Sequence, residues 1–229
     1  MHVPDGFLDA PTSTATAVVA IGCVGVALVG ARKELDDKTA PMAGLVAAFI
    51  FAVQMLNFPV GAGTSGHLIG GALAAVLVGP FTGLLCMSVV LLVQCLLFAD
   101  GGITALGTNI LLMGVATVVV GWLVFRLLQA VLPKRLALVP AQAGVAAFLS
   151  VPVAALLFVG LYVVGGTADI SLDKLMTTML GVHVLIGIGE GVITFLAIGA
   201  VIAVRPDLVY GARRVLAERK LEIRSEVTA

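Results

Sequence analysis

Seven apolar stretches, separated by short polar segments, limit most strongly how this chain can fold. They cover residues 13–31, 41–57, 67–79, 81–99, 109–132, 138–165 and 175–204. A helix needs about 20 apolar residues to cross a bilayer. Only 11% of the 229 residues are charged, against about 25% in an ordinary globular domain. The sequence therefore predicts an all-α, polytopic membrane protein, with a single integral membrane domain over residues 1–229.

The distribution of basic residues predicts how these spans are oriented. No Lys or Arg precedes the first apolar stretch, and a charged cluster follows it at 32–38, so we expect an uncleaved first span with the N-terminus outside. Seven spans then leave only Lys174 outside among 13 Lys and Arg. The third stretch is short enough to be re-entrant, but that would turn the basic tail at 205–229 outward. Seven spans and a cytoplasmic C-terminus are favoured.

This topology brings three polar, glycine-rich segments together on the outer side. They are residues 1–12, 58–67 and 100–109. Irregular backbone is tolerated at membrane depth only where it is buried in protein or lines a cavity. We therefore predict an outward-facing pocket roofed by an extracytoplasmic metal-binding segment, residues 1–12.

Met1-His2 has the chemistry of a terminal chelator. The α-amino nitrogen, the deprotonated His2 amide nitrogen and the His2 imidazole Nδ1 close two adjacent rings and lie in one plane. An imidazole from His67 or His183 could supply a fourth nitrogen, and four nitrogens in a plane suit Ni²⁺, Cu²⁺ or low-spin Co²⁺. The alternatives are that His2 is incidental on a flexible terminus and that His67 only caps the third span.

Five further polar residues lie within or beside apolar stretches: Gln54, Asn57, Gln94, His183 and Glu190. Such residues usually face the interior of a helix bundle and mark functional positions. Asn57 is a candidate for supporting a metal-binding histidine, whereas interhelical hydrogen bonding is the favoured role of Gln54 and Gln94. His183 and Glu190 are seven residues apart, about 10 Å along a helix, so structural bonding is favoured over a relay.

Four segments carry a resemblance to a known family. MHVPDGFLD, FAVQMLNFPVGAGTSGHLIGG, LLVQCLLFADGGITALGTN and GVHVLIGIGEGVIT are similar to signature segments of the CbiM/NikM family, which are substrate-binding membrane components of energy-coupling-factor ABC transporters for cobalt and nickel. The resemblance implies a six-helix core plus one added N-terminal helix, in the cytoplasmic membrane of a prokaryote. It also implies that Met1, His2 and His67 hold the metal.

The resemblance further implies partners: a transmembrane coupling subunit, two cytoplasmic ATPases and a small accessory membrane protein. The chain has no Walker A motif, so ATP hydrolysis is expected on the partners. Ala43 and Ala47 are spaced to allow close helix packing, and the resemblance makes them candidates for docking the coupling subunit. Ni²⁺ or Co²⁺ is expected as transported substrate, with no prosthetic group; the cobalt branch is linked with cobalamin biosynthesis.

Two other classes of function stay open from the sequence. One is an intramembrane enzyme that uses His183 and Glu190, although their axial separation argues against an acid–base pair. The other is a metal-independent scaffold or channel. ATP-driven uptake of Ni²⁺ or Co²⁺ is the favoured function.

Overall fold

The computed structural model describes residues 1–36, 39–56, 58–60 and 64–218, and most of them are helical. The helices are α1 Ala10–Ala31, α2 Thr39–Gln54, α3 Gly71–Val78, α4 Pro80–Phe98, α5 Leu106–Asn109, α6 Thr117–Val131, α7 Val139–Gly165 and α8 Leu172–Val204. A π-helical stretch, Ile110–Ala116, joins α5 to α6 in one continuous helix. Short 3₁₀ turns cover Leu136–Leu138, Pro206–Leu208 and Tyr210–Ala212.

Five helices in the described part of the chain are long and apolar enough to cross a membrane: Ala10–Ala31, Pro80–Phe98, Leu106–Val131, Leu136–Gly165 and Leu172–Val204. The prediction of a helical, multi-pass membrane protein is confirmed. The apolar helix α2 has 16 residues, and α3 has 8, which reaches only about 12 Å. The count of seven spans and the orientation of the termini therefore stay predictions.

One small hairpin departs from the purely helical prediction. Strands β1 (Phe58–Val60) and β2 (Thr64–Gly66) pair antiparallel, with Pro59 opposite Ser65. The segment FPVGAGTSG is rich in glycine and contains a proline, and both residue types disfavour helix. The second helix consequently ends at Gln54, before the predicted position 57, and the third begins at Gly71 instead of position 67.

The short helix α3 lies at the centre of the molecule. All eight of its residues are buried, and it packs against α2, α4, α6, α7 and α8. A Cβ on Gly121 of α6 would lie 2.5 Å from the Cβ of Ala72, so glycine lets these two helices approach closely. The loop that enters α3 is thus held inside the domain.

Glu34 caps the N-terminus of α4, directly after the end of α3. Its carboxylate accepts hydrogen bonds from the backbone amides of Phe81 (3.2 Å) and Thr82 (2.7 Å) at the start of α4. A carboxylate at a helix N-terminus satisfies amides that have no partner within the helix. The side chain is buried although its sequence neighbours form a charged cluster, so Glu34 is a structural residue.

The predicted inner segments meet at one end of the domain. Arg213 lies 3.4 Å from Asp36, and Lys134 lies 2.7 Å from Glu218. These pairs connect the loop after α1, the loop before α7 and the beginning of the basic tail. Residues 219–229 of that tail lie outside the described residues.

Candidate metal centre

The N-terminal segment is packed into the domain. Val3 is fully buried, and the Asn109 side chain holds both of its backbone groups: Oδ1 accepts from the Val3 amide at 2.7 Å, and Nδ2 donates to the Val3 carbonyl at 3.1 Å. Further along, the Asp9 amide donates to the Gly165 carbonyl at 2.7 Å. Asp5 accepts from the Thr104 amide and hydroxyl. Residues 1–9 therefore have a defined path between α5, α7 and the loop after α4.

This path brings the amino terminus against His67. The Met1 nitrogen lies 3.0 Å from Nε2 of His67, and both residues are buried. Nδ1 of His67 lies 2.8 Å from the Leu68 carbonyl oxygen. Because a carbonyl can only accept, Nδ1 carries the proton, and in a neutral ring Nε2 then presents its lone pair to the amine.

His2 is oriented in the same way from the other side. Its Nε2 lies 3.1 Å from the Gln94 side-chain oxygen, so Nε2 is the protonated nitrogen and Nδ1 has the lone pair. Nδ1 is buried and makes no hydrogen bond within the described part of the chain. It lies 3.2 Å from Oδ1 of Asp100, but without hydrogen-bond geometry. The two histidine rings are 4.7 Å apart between centroids.

Burial keeps these nitrogen donors neutral. Desolvation lowers the pKa of the Met1 α-amino group to about 5, even though Asp100 acts in the opposite direction. Desolvation, together with the nearby amine, lowers the pKa of His2 to about 4. At neutral pH the amine and the imidazole are therefore unprotonated nitrogen bases, which is the state that metal coordination requires.

Three other polar residues chosen from the sequence contact His2 or the loop after His67. Gln94 contacts His2, whereas Gln54 donates to the Ile69 carbonyl at 2.5 Å. Glu190 accepts from the Ile69 and Gly70 amides, both at 2.6 Å. Asn57 lies outside the described residues.

His183 is buried in α8. Its Nδ1 donates to the Met179 carbonyl at 2.7 Å, so Nε2 has the lone pair. Nε2 makes no hydrogen bond with any residue that the structure describes. His67 is the imidazole at hydrogen-bond distance from the amine.

Sequence reasoning missed Asn109 and Asp100 as individual residues. Both lie in the segment 100–109, which the topology had placed beside the pocket. Asn109 was hidden because its role depends on a contact with Val3, which is 106 residues away. Across the described ranges, no three His, Cys, Asp or Glu side chains form a metal-binding group.

A family model described as the cobalt uptake substrate-specific transmembrane region, CbiM, matches residues 2–208. The chain belongs to the CbiM family. A candidate fused nickel transport protein of Archaeoglobus fulgidus is 39% identical over 210 residues, which are 91% of this chain and 68% of that protein. A candidate metal transport protein of Haloquadratum walsbyi is 40% identical over 215 residues, covering 92% of this chain and 94% of its relative.

The fold of this CbiM-family chain is similar to that of a solved relative. The crystal structure of a truncated transition metal transporter aligns with a TM-score of 0.80 at 29% sequence identity. The alignment covers 89% of this chain and 99% of the other. The family model thus includes α1 and nearly all of the buried segment before it.

The double hydrogen bond from Asn109 generates a prediction about the N-terminal segment. Asn109→Leu keeps the branched shape of the side chain and removes both bonds to Val3, each worth about 1 kcal/mol. We expect the backbone amides of residue 3 and residues 5–8 to exchange with deuterium roughly 10- to 100-fold faster, as measured by mass spectrometry. Ser88→Ala, which removes a bond to Leu84 within α4, is the control. Unchanged exchange in Asn109→Leu would show that Asn109 does not hold the segment.

Proposed function

We propose that this chain is the substrate-binding component of an ATP-driven uptake transporter for Ni²⁺ or Co²⁺. It captures the metal at the outer face of a prokaryotic cytoplasmic membrane, through the α-amino group of Met1, the amide and Nδ1 of His2, and Nε2 of His67. The observation that carries the proposal is the convergence of buried nitrogen bases at the amino terminus, including the His2 Nδ1 that makes no hydrogen bond within the described residues.

The distances around Met1 fit a planar site. Metal–nitrogen bonds of about 2 Å put neighbouring corners of a square about 2.8 Å apart, and the Met1 nitrogen lies 3.0 Å from Nε2 of His67. The terminal chelate fixes three corners, and His67 supplies the corner next to the amine. A small adjustment of the two nitrogens is enough to admit the ion.

The surroundings of both histidines support metal coordination. A metal-binding histidine usually donates its other ring N–H to a carbonyl or carboxylate, which fixes the ring. His67 donates to the Leu68 carbonyl, and His2 donates to the Gln94 side chain. His67 consequently turns its lone pair toward the Met1 nitrogen, and His2 keeps its lone pair on Nδ1, the nitrogen that closes the terminal chelate.

Charge balance favours a divalent ion at this position. Coordination removes the proton of the His2 amide, leaving one negative charge, and Asp100 adds a second beside the His2 ring. A divalent metal neutralises both. Because an uncompensated charge is costly in an apolar interior, the buried site favours the +2 ion over bulk monovalent cations. The same nitrogen set suits Ni²⁺ and Co²⁺.

The contacts of His183 and Glu190 disfavour an intramembrane enzyme. Both carboxylate oxygens of Glu190 accept backbone amides, and Nδ1 of His183 donates within its own helix. An acid–base pair needs both groups within hydrogen-bond reach of the same reacting proton. The relatives above are also named as transport proteins, which supports transport over a metal-independent scaffold.

Moving the amino terminus tests the chelate. Three residues in front of Met1 put the α-amino group about 10 Å of chain away from His2, so the two-ring chelate cannot form. We expect the Ni²⁺ affinity of the purified protein, measured by calorimetry, to fall at least about 100-fold. A protease that cuts directly before Met1 should restore it. Full binding by the extended protein would contradict the proposed site.

Substituting each imidazole tests the fourth ligand. His67→Ala leaves three nitrogens, so the visible absorption band of bound Ni²⁺ should lose its four-nitrogen, square-planar character. His183→Ala should leave that band in place, because Nε2 of His183 makes no hydrogen bond to the amine. The opposite pair of results would assign the fourth position to His183.

The proposed partners are a transmembrane coupling subunit, two cytoplasmic ATPases and a small accessory membrane protein. Ala43 and Ala47 on α2 are half-buried and pack against the core, while Ala48 on the same helix is exposed. Their small side chains permit close approach of a partner helix. We propose that this part of α2 docks the coupling subunit.

A bulky residue at Ala43 tests the docking surface. We expect Ala43→Trp to abolish copurification with the coupling subunit, because the indole keeps the partner helix away. Ni²⁺ binding should be unchanged, since the substitution is remote from Met1. Ala48→Trp, on the exposed face of α2, is the control. Loss of assembly with Ala48→Trp alone would move the docking surface to that face.

A further inference from the structure

The loop between β2 and α3 carries His67, and its backbone is held from two sides. Glu190 of α8 accepts the Ile69 amide through Oε2 and the Gly70 amide through Oε1, both at 2.6 Å. Gln54, the last residue of α2, donates to the Ile69 carbonyl at 2.5 Å. Three consecutive polar groups of the loop backbone are therefore satisfied by two buried side chains from distant helices.

The loop between His67 and α3 turns sharply, so the contacts that Glu190 and Gln54 make with it fix its course. Gly70 has a φ of +91°, and a Cβ there would lie 2.9 Å from Cγ1 of Ile50 in α2. The chain thus makes a sharp turn in van der Waals contact with α2 before α3 begins. His67 is only two residues from the bonded Ile69 peptide. Any shift of Ile69 consequently moves the imidazole relative to the Met1 amine.

We infer that Glu190, with Gln54, is a positioning residue for the metal ligand His67. The carboxylate and the amide lock the Ile69–Gly70 backbone between α8 and α2, which holds Nε2 of His67 at the corner next to the Met1 nitrogen. The inference rests on the proposed function, because it assigns Glu190 a role only through a ligand. Glu190 itself does not touch the metal.

A purely structural role for Glu190 makes a different prediction. In that case the carboxylate only caps the start of α3, as Glu34 caps the start of α4 by accepting the Phe81 and Thr82 amides. Both glutamates are buried, and each accepts two backbone amides at or just before the start of a helix. Only Glu190 acts on a segment with a metal ligand, so Glu34→Ala is a matched control.

A double-mutant cycle on the purified full-length protein separates the two roles. Ni²⁺ affinity and the visible spectrum of bound Ni²⁺ are measured for Glu190→Ala, Glu34→Ala and His67→Ala, and for each glutamate variant combined with His67→Ala. Residues that support a metal ligand typically contribute 10- to 100-fold to affinity. We expect Glu190→Ala to lower the Ni²⁺ affinity by about 10- to 100-fold when His67 is present.

The expected signature is that this loss disappears without His67. In the His67→Ala background, Glu190→Ala should change the affinity by less than about twofold, because the residue has nothing left to position. The spectrum of Glu190→Ala should shift toward that of His67→Ala. Glu34→Ala should change neither affinity nor spectrum. Gln54→Leu, which has nearly the same volume, should give a smaller effect of the same kind and replaces Glu190→Ala if that variant does not fold.

Two outcomes would overturn the inference, and they differ from failure of the proposed site. Equal losses from Glu190→Ala with and without His67 would mean a general structural role. Unchanged affinity in Glu190→Ala, with His67→Ala still impaired, would show that the loop holds His67 unaided. If His67→Ala itself binds Ni²⁺ as tightly as the unsubstituted protein, the proposed ligand set fails, and the positioning role fails with it.

Discussion

Backbone groups that leave a helix inside this apolar domain need hydrogen-bond partners, and a few buried polar side chains supply them. Glu190 and Gln54 hold the loop before α3, Glu34 holds the start of α4, and Asn109 holds Val3. An unsatisfied amide or carbonyl in such surroundings costs several kcal/mol. Each side chain comes from an element far along the sequence, so these contacts also lock the helices around α3. The rest of the architecture depends on them.

The same need for hydrogen-bond partners accounts for the burial of the amino-terminal segment. A chain end is usually solvated and mobile, but here the segment 1–9 pairs with Asn109, Gly165 and Thr167 and is drawn into the domain. Burial then disfavours the charged form of the Met1 amine. The buried amine is therefore a neutral nitrogen base, whereas a solvated terminus would be cationic. The proposed metal site therefore uses the uncharged nitrogens of one chain end and two imidazoles.

The sequence predicted most of the long helices well. The apolar stretches 81–99, 109–132 and 138–165 match helices that end within a few residues of those limits, because a bilayer demands long uninterrupted apolar runs. It predicted α3 less well: the stretch 67–79 is apolar, yet its first four residues form a loop. Hydropathy does not distinguish a short helix from an apolar loop when both are buried, and the satisfying partner, Glu190, lies 121 residues away.

The sequence by itself determined that this chain is helical and lies in a membrane, since hydropathy is a local property. The order Met1-His2 predicted a terminal chelator, for which the chelate chemistry allowed His67 or His183 as fourth ligand and the family resemblance favoured His67. Only the tertiary structure decided that His67 lies 3.0 Å from Met1, across 66 residues of sequence. The tertiary structure also showed that Glu34, which the sequence places in a charged cluster, is a buried cap of α4. Both outcomes depend on which backbone groups are left without partners after the helices pack, and no local pattern encodes that.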